Sequence, residues 1–253
     1  MPVMTPEEVE RYARHIVLRE IGGPGQQKLL NAKLLCVGAG GLGSSALFYL
    51  AAAGVGHIGV VDDDVVSLSN LQRQVLHDTD SIGALKTKSA QQALTRVNPN
   101  VEVTGYDLRL DDSNVDDIIA GYDLVLDGTD NFTSRYLVNA ACVRAGVPLV
   151  SAAMSQWEGQ ISLYDPAHGG PCYQCVFPEA PAAGLAPNCA QAGVMGALAG
   201  VMGSMMAGEA IKLITGAGKV LRGELLIYDS LFGETRKLVV KPRKDCPICG
   251  AGS

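Results

Sequence analysis

The run Gly38-Ala39-Gly40-Gly41-Leu42-Gly43 constrains the fold of this chain more than any other feature. It follows a short apolar stretch, residues 34–37, and opens a helical stretch, residues 44–53, that Gly54 closes. Glycines in that context allow a tight strand-to-helix turn and let backbone N–H groups approach phosphates at a helix N-terminus. A turn that serves only packing is the other reading. Downstream, apolar runs (57–61, 101–108, 122–126, 147–151) alternate with helical patterns (84–97, 132–145). That alternation predicts a mostly parallel, Rossmann-like α/β sheet with helices on both faces.

An arm precedes this core and a different pattern follows it. Thr5 and Glu8 have capping-box spacing, Pro6 suits a first turn, and Val9, Tyr12, Ile16 and Val17 share one face. Residues 5–19 therefore read as a helix, ended by Gly22-Gly23-Pro24-Gly25. Beyond Ser151, residues 160–164, 224–228 and 237–240 read as strands, the last two antiparallel. Between them lie a Pro-, Gly- and Ala-rich loop (165–190) and an apolar helix (192–207) closed by Glu209 and Lys212. About 16 apolar residues are too few to span a bilayer, which takes about 20, so a core helix is expected. One domain over 1–253 follows: a helical arm (1–30), a nucleotide-binding core (31–151) and a C-terminal region (152–253) whose antiparallel strands extend the sheet.

Composition narrows the function. Hydrophobic residues are 47% of the chain, which excludes intrinsic disorder. The net charge of -6 argues against a general nucleic-acid binder. The N-terminus is charged rather than apolar, so no signal peptide or membrane anchor is expected and the chain reads as cytoplasmic. Seven cysteines in such a chain suggest metal or reactive thiols before disulfides.

Several side chains belong with the glycine loop. Asp62 ends the second predicted strand, where a carboxylate accepts from ribose hydroxyls. Arg73 can grip phosphate oxygens in two places, and Lys86 stands in a helix first turn, unfavourable for a cation unless an anion is near. A solvated basic face is the alternative for both. Asp130, in Asp127-Gly128-Thr129-Asp130-Asn131, is placed at a strand's carboxyl end, where Mg²⁺ takes one or two carboxylates plus phosphate oxygens. Its alternative is an N-cap of the next helix. Cys172-Tyr173-Gln174-Cys175 and Cys246-Pro247-Ile248-Cys249 are two C-x-x-C pairs whose four thiolates suit a closed, structural Zn²⁺ site better than two redox pairs. Cys189 precedes the apolar helix, whose N-terminus favours a thiolate; an inert loop thiol is the other reading.

Together these residues resemble the ThiF/MoeB/HesA family, bacterial relatives of ubiquitin-activating enzymes, over essentially the whole chain. Gly-Ala-Gly-Gly-Leu-Gly, Ser-Asn-Leu-Gln-Arg-Gln, the Lys86 helix, Asp-Gly-Thr-Asp-Asn and the cysteine pairs occur in the family's order. The resemblance implies ATP rather than NAD, bound by Gly38, Gly40, Gly41, Gly43, Asp62, Ser69, Asn70, Leu71, Gln72, Arg73, Lys86, Asp130 and Asn131. In it Asp62 holds the ribose, Asn70, Arg73 and Lys86 the phosphates, and Asp130 the Mg²⁺. It further implies a homodimer whose Arg14 reaches the other protomer's triphosphate, and a cysteine in the Cys189 region that can link covalently to the carrier. The implied reaction adenylylates the C-terminal carboxylate of a ubiquitin-like sulfur carrier ending in Gly-Gly, of the molybdopterin type or, alternatively, the thiamine type. Residues 152–253 then bind carrier and zinc, and sulfur is expected from a separate donor protein. An NAD-dependent oxidoreductase and a non-catalytic scaffold are the alternatives from other classes; the first leaves Arg73, Lys86 and the cysteine pairs without a use.

Overall fold

A computed structural model describes residues 4–181 and 193–250. The arm begins as the capping box predicts: Thr5 accepts from the Glu8 amide, Glu8 returns the bond, and α1 runs Pro6–Arg11. The arm is not one helix, however. It breaks at Tyr12 and resumes as α2, Ala13–Ile16. The glycine-proline segment expected to end it instead opens α3, Gly22–Asn31. Pro24 lies in that helix's first turn, where its missing N–H has no intrahelical partner to lose.

The core alternates as predicted: β1 (Lys33–Val37), α4 (Gly41–Ala53), β2 (His57–Val61), α5 (Lys86–Val97), β3 (Glu102–Tyr106), α6 (Val115–Ile119), β4 (Leu124–Asp127), α7 (Phe132–Ala145) and β5 (Leu149–Ser155). The short α6 is an addition to the sequence reading. β6 (Glu158–Tyr164) turns back as a hairpin. After α8 (Tyr173–Val176), the long α9 (Gly196–Thr215) leads to β7 (Glu224–Asp229) and β8 (Glu234–Val239). The eight strands of the described residues form one sheet in the order β3-β2-β1-β4-β5-β6-β7-β8. Pairing is parallel from β3 through β5 and antiparallel from β5 through β8.

Burial explains the layering. Along β1, Leu34 and Cys36 join a core with Leu47, Leu50, Ile58, Leu94, Met202 and Met206. The alternate residues Leu35 and Val37 join another with Ile119, Val125 and Val138. Period-two side chains thus feed both faces of the sheet, as a doubly covered strand requires. α9 is long and apolar enough to cross a membrane by length and composition alone. Its Leu198, Met202, Met206 and Ala210 are instead fully buried against α4 and the sheet. From β1 the chain builds outward to β3, then returns to lay β4 on β1's other side. That switch leaves a crevice outside the carboxyl ends of β1 and β4.

Candidate active site

The crevice holds about 800 Å³ and gathers the glycine loop, the end of β2, the first turn of α5 and the Gly128–Asn131 segment. Glycine is required twice in its floor. Gly38 has φ +94°, and a Cβ on Gly43 would stand 2.0 Å from the Gly38 carbonyl oxygen. The loop is fixed from both sides: the Gly38 amide donates to the Val61 carbonyl (2.8 Å) and the Gly128 amide to the Val37 carbonyl (2.9 Å). α4 then starts at Gly41. Its first-turn N–H groups have no intrahelical acceptor, which makes this end of the crevice attractive to an anion.

Asp62 Oδ2 accepts from the Ala39 amide at 2.8 Å and its Oδ1 from the Asp64 amide at 2.9 Å. Burial lifts its carboxyl above the usual carboxylate range, with Lys86 pulling the other way. Lys86 is buried, as the first residue of α5. Its Nζ lies 2.7 Å from Asp64 Oδ2 and 3.7 Å from Asp62 Oδ1. The anion that its helix position demanded is therefore present, and a phosphate entering the crevice would find the same cation. Arg73 lays its stem beside Gly41 and donates from Nη1 to the Ser69 carbonyl at 3.2 Å.

At the end of β4 two carboxylates part company. Asp127 is fully buried and accepts from the Thr129 amide and hydroxyl and from Ser151 Oγ. Asp130 lines the crevice, is exposed, and has no hydrogen bond or ion pair among the described residues. The N-cap of α7 is Asn131, whose Oδ1 accepts from the Ser134 amide at 2.9 Å. Asp130 is thereby left available for a metal. Its unengaged carboxylate on the crevice wall suits the hard-oxygen preference of Mg²⁺.

Of the residues read from sequence, Gly38, Gly40, Gly41, Asp62, Arg73, Lys86, Asp130 and Asn131 line this one crevice. Gly43 lies beneath it, packed on Gly38. Ser69, Asn70, Leu71 and Gln72 stand outside its lining, and Asn70 Oδ1 is occupied in accepting from the Ser67 amide. Arg14 is exposed on α2, in the arm that packs Tyr12 against Gly54 at the far end of α4. α4 has 13 residues, about 20 Å, so Arg14 cannot reach the crevice of its own chain. Cys189 lies outside the described residues.

Sequence reasoning missed Arg135. It lines the crevice, is 8% exposed, donates from Nη2 to the Thr129 carbonyl at 2.7 Å and lies 5.8 Å from the Phe132 ring centre. The signal that singled out Lys86, a cation in the first turns of a helix after a strand end, was equally present here. Gln74, the last residue of the Ser-Asn-Leu-Gln-Arg-Gln run and without a role in the sequence reading, is buried at the edge of the same crevice.

The four cysteines of the two pairs meet behind α7. Sγ separations are 3.5 Å for Cys172–Cys246, 3.4 Å for Cys175–Cys249 and 3.8 Å for Cys172–Cys175. Sulfurs about 2.3 Å from a central tetrahedral ion stand about 3.8 Å apart, so the cluster fits zinc. Burial lifts the Cys172 thiol well above its ordinary value. At Cys246 burial acts upward too, but amide hydrogen bonds from Cys249 and Ile248 and the neighbouring thiols bring it down to about 7.

A profile of the ThiF family matches residues 12–248. A sulfur carrier protein adenylyltransferase from Thermus thermophilus is 49% identical over 250 residues, covering 97% of this chain and 92% of that protein. A SAMP-activating enzyme E1 from Haloferax volcanii is 47% identical over 245 residues, covering 97% and 90%. The crystal structure of E. coli MccB with ATP superimposes with a TM-score of 0.81 at 25% identity, over 95% of this chain and 73% of that one.

Proposed function

The chain belongs to the ThiF family, and on that premise we propose that it adenylylates the C-terminal glycine carboxylate of a ubiquitin-like sulfur-carrier protein, of the molybdopterin-synthase small-subunit type. The observation that carries this reading is the convergence of the α4 N-terminus, Arg73, Lys86 and Asp130 on one crevice. ATP is the nucleotide that such a set of amides, cations and an open carboxylate suits, and it is the ligand of the similar MccB structure. An oxidoreductase would have no use for Arg73, Lys86 or Asp130 at the phosphates.

An α-carboxylate has a pKa of about 3.3–3.7, so at neutral pH it is already an ionised nucleophile and needs no general base. A carboxylate oxygen attacks the α-phosphorus, the bond to the bridging oxygen breaks, and pyrophosphate leaves with that electron pair. The product is an acyl-adenylate, whose carbonyl carbon is then open to sulfur. What the protein must supply is alignment and relief of repulsion between two anions. Asp62 would hold the ribose, while the loop amides, Arg73 and Lys86 hold the phosphates. Asp130 would hold Mg²⁺, which neutralises phosphate charge when bound. The four cysteines would hold Zn²⁺ in a closed shell, a structural rather than catalytic role.

Arg14 enters this scheme from a second protomer. Its distance from its own crevice favours that arrangement, and apolar side chains stand exposed on the arm (Val17 at 74%) and on α4 (Tyr49 at 59%). A symmetric homodimer would cover them and bring Arg14 to the partner's triphosphate. Exchange of radiolabelled pyrophosphate into ATP, dependent on a purified carrier ending in Gly-Gly, tests the whole reading. Exchange is expected with wild type and not with Asp130→Ala. Molybdopterin-, thiamine- and tRNA-thiolation-type carriers assayed side by side identify the carrier. Absence of exchange with all of them would end the proposal.

A further inference from the structure

We propose that His77 is a positioning residue that sets the spacing of the three phosphate-facing elements: the glycine loop, the Arg73 turn and the Lys86 helix. The inference rests on the reading of the crevice as a triphosphate site. It concerns a side chain that does not line the crevice at all.

His77 is 6% exposed, and both of its ring nitrogens are engaged. Nε2 lies 2.9 Å from the Ala39 carbonyl oxygen and Nδ1 lies 2.8 Å from Ser89 Oγ. A carbonyl only accepts, so Nε2 carries the hydrogen, and in the neutral ring the Ser89 hydroxyl donates to Nδ1. A neutral imidazole is thereby held as this one tautomer. Burial favours that neutral form, as does the charge of Lys86.

Each contact reaches a different element. The Ala39 carbonyl belongs to the peptide that carries the Gly40 N–H. In a trans peptide the two point in opposite directions, so holding the carbonyl down turns the Gly40 N–H the other way. Gly40 is part of the crevice lining. Ser89 lies one turn after Lys86 on α5 and faces the same way. The backbone of His77 closes the turn that presents Arg73: its amide donates to the Gln74 carbonyl at 3.1 Å, and the Gln74 amide to Asn70 at 2.9 Å. One residue therefore joins the three: its ring bridges loop and helix, and its backbone anchors that ring to the turn. A residue needed only to fill volume would be apolar, since a buried imidazole is costly unless its nitrogens are paired.

The test uses the full chain with wild type, His77→Gln, His77→Phe and Ser89→Ala. The readouts are kcat and KM for ATP in carrier-dependent pyrophosphate exchange, ATP affinity by calorimetry, and the thermal midpoint. A misplacement of about 1 Å at a reacting centre costs about 100-fold, so His77→Phe, which keeps volume without the bonds, should lose about that much kcat/KM. His77→Gln, whose amide nitrogen can take the place of Nε2, should stay within about tenfold of wild type, recovering most of what a lost neutral hydrogen bond removes. Ser89→Ala removes only the far end of the strut and should raise KM for ATP about fivefold at an unchanged fold. In wild type, ¹⁵N spectra should show the His77 ring as the Nε2–H tautomer at neutral pH.

Equal activity of His77→Phe and wild type, or equal loss in the Phe and Gln variants, overturns the inference. If His77→Phe does not fold, an unchanged KM in Ser89→Ala or an Nδ1–H ring in wild type overturns it instead. A wild-type protein that neither binds ATP nor exchanges pyrophosphate would sink the adenylation reading. An active wild type with indifferent variants would sink His77 alone.

Discussion

Two glycines on α9, five residues apart, should respond in opposite senses to the same added methyl. Gly203 is buried where α9 crosses α4, and a Cβ there would stand 2.3 Å from the Leu42 carbonyl oxygen and 3.0 Å from Ser45 Cβ. Carbon–oxygen contacts settle near 3.3–3.6 Å, so the helices must part by about 1 Å. Overpacking of that kind costs about 1–3 kcal/mol, which in a protein of this size lowers the thermal midpoint by roughly 2–12 °C. Leu42 is in the first turn of α4, so the displacement reaches the phosphate end of the crevice and should cost exchange activity about 100-fold. Gly208 is exposed, with nothing within 4 Å of a Cβ. Alanine there removes backbone freedom from the unfolded chain and should stabilise by up to about 1 kcal/mol, raising the midpoint by about 2–4 °C with activity intact. Calorimetric melts and pyrophosphate exchange on Gly203→Ala and Gly208→Ala are sufficient. A Gly203→Ala protein that melts at or above wild type would refute the packing argument, and one that exchanges normally would refute the coupling of that contact to the site.

Other perturbations have signs fixed by the same geometry. Lys86→Met removes the buried cation and should lower kcat/KM for ATP by about 100- to 1,000-fold, the range for deleting one preorganised charge-stabilising group; steady-state exchange kinetics measure it. Burial, reinforced by Lys86 and opposed by Asp62, Asp78 and the bond to Ala39, holds His77 below its ordinary pKa of 6.5. The folded state then binds fewer protons there than the unfolded chain, so this contribution is complete above about pH 6.5 and is lost as the pH falls toward the folded value. The melting advantage of wild type over His77→Gln should therefore shrink between pH 7.5 and 5; an advantage that grows on acidification would contradict the burial argument. A strong chelator, or Cys246→Ser, should lower the thermal midpoint and release one zinc per chain by metal analysis, since binding energy at such a site is folding energy.

What the sequence could disclose depended on distance along the chain. The β1–glycine loop–α4 unit, the capping box at Thr5 and the helix starting at Phe132 were legible because period and caps are local signals. The Gly22–Gly25 segment reads as a stop because three glycines and a proline break most helices; Pro24 falls in the first turn, the one place where it is tolerated. Lys86 was found through its helix position and a nearby loop. Arg135 carried the same signal and was overlooked. His77 offered none: its significance lies in contacts 38 and 12 residues away, which no local pattern encodes. The role proposed for Arg14 rests on the family resemblance alone, and its place at the far end of α4 sets it apart from the crevice of its own chain.

The meeting of Cys172 and Cys175 with Cys246 and Cys249 changes the connectivity of everything between them. Once one ion joins the four sulfurs, the chain from 176 to 245 becomes a closed ring. A protease that cuts once inside it would linearise that ring without dividing the molecule, and α9 with the final hairpin would stay attached to the nucleotide half. Nicked protein should consequently run as two fragments under denaturing, metal-free conditions and as one species when native.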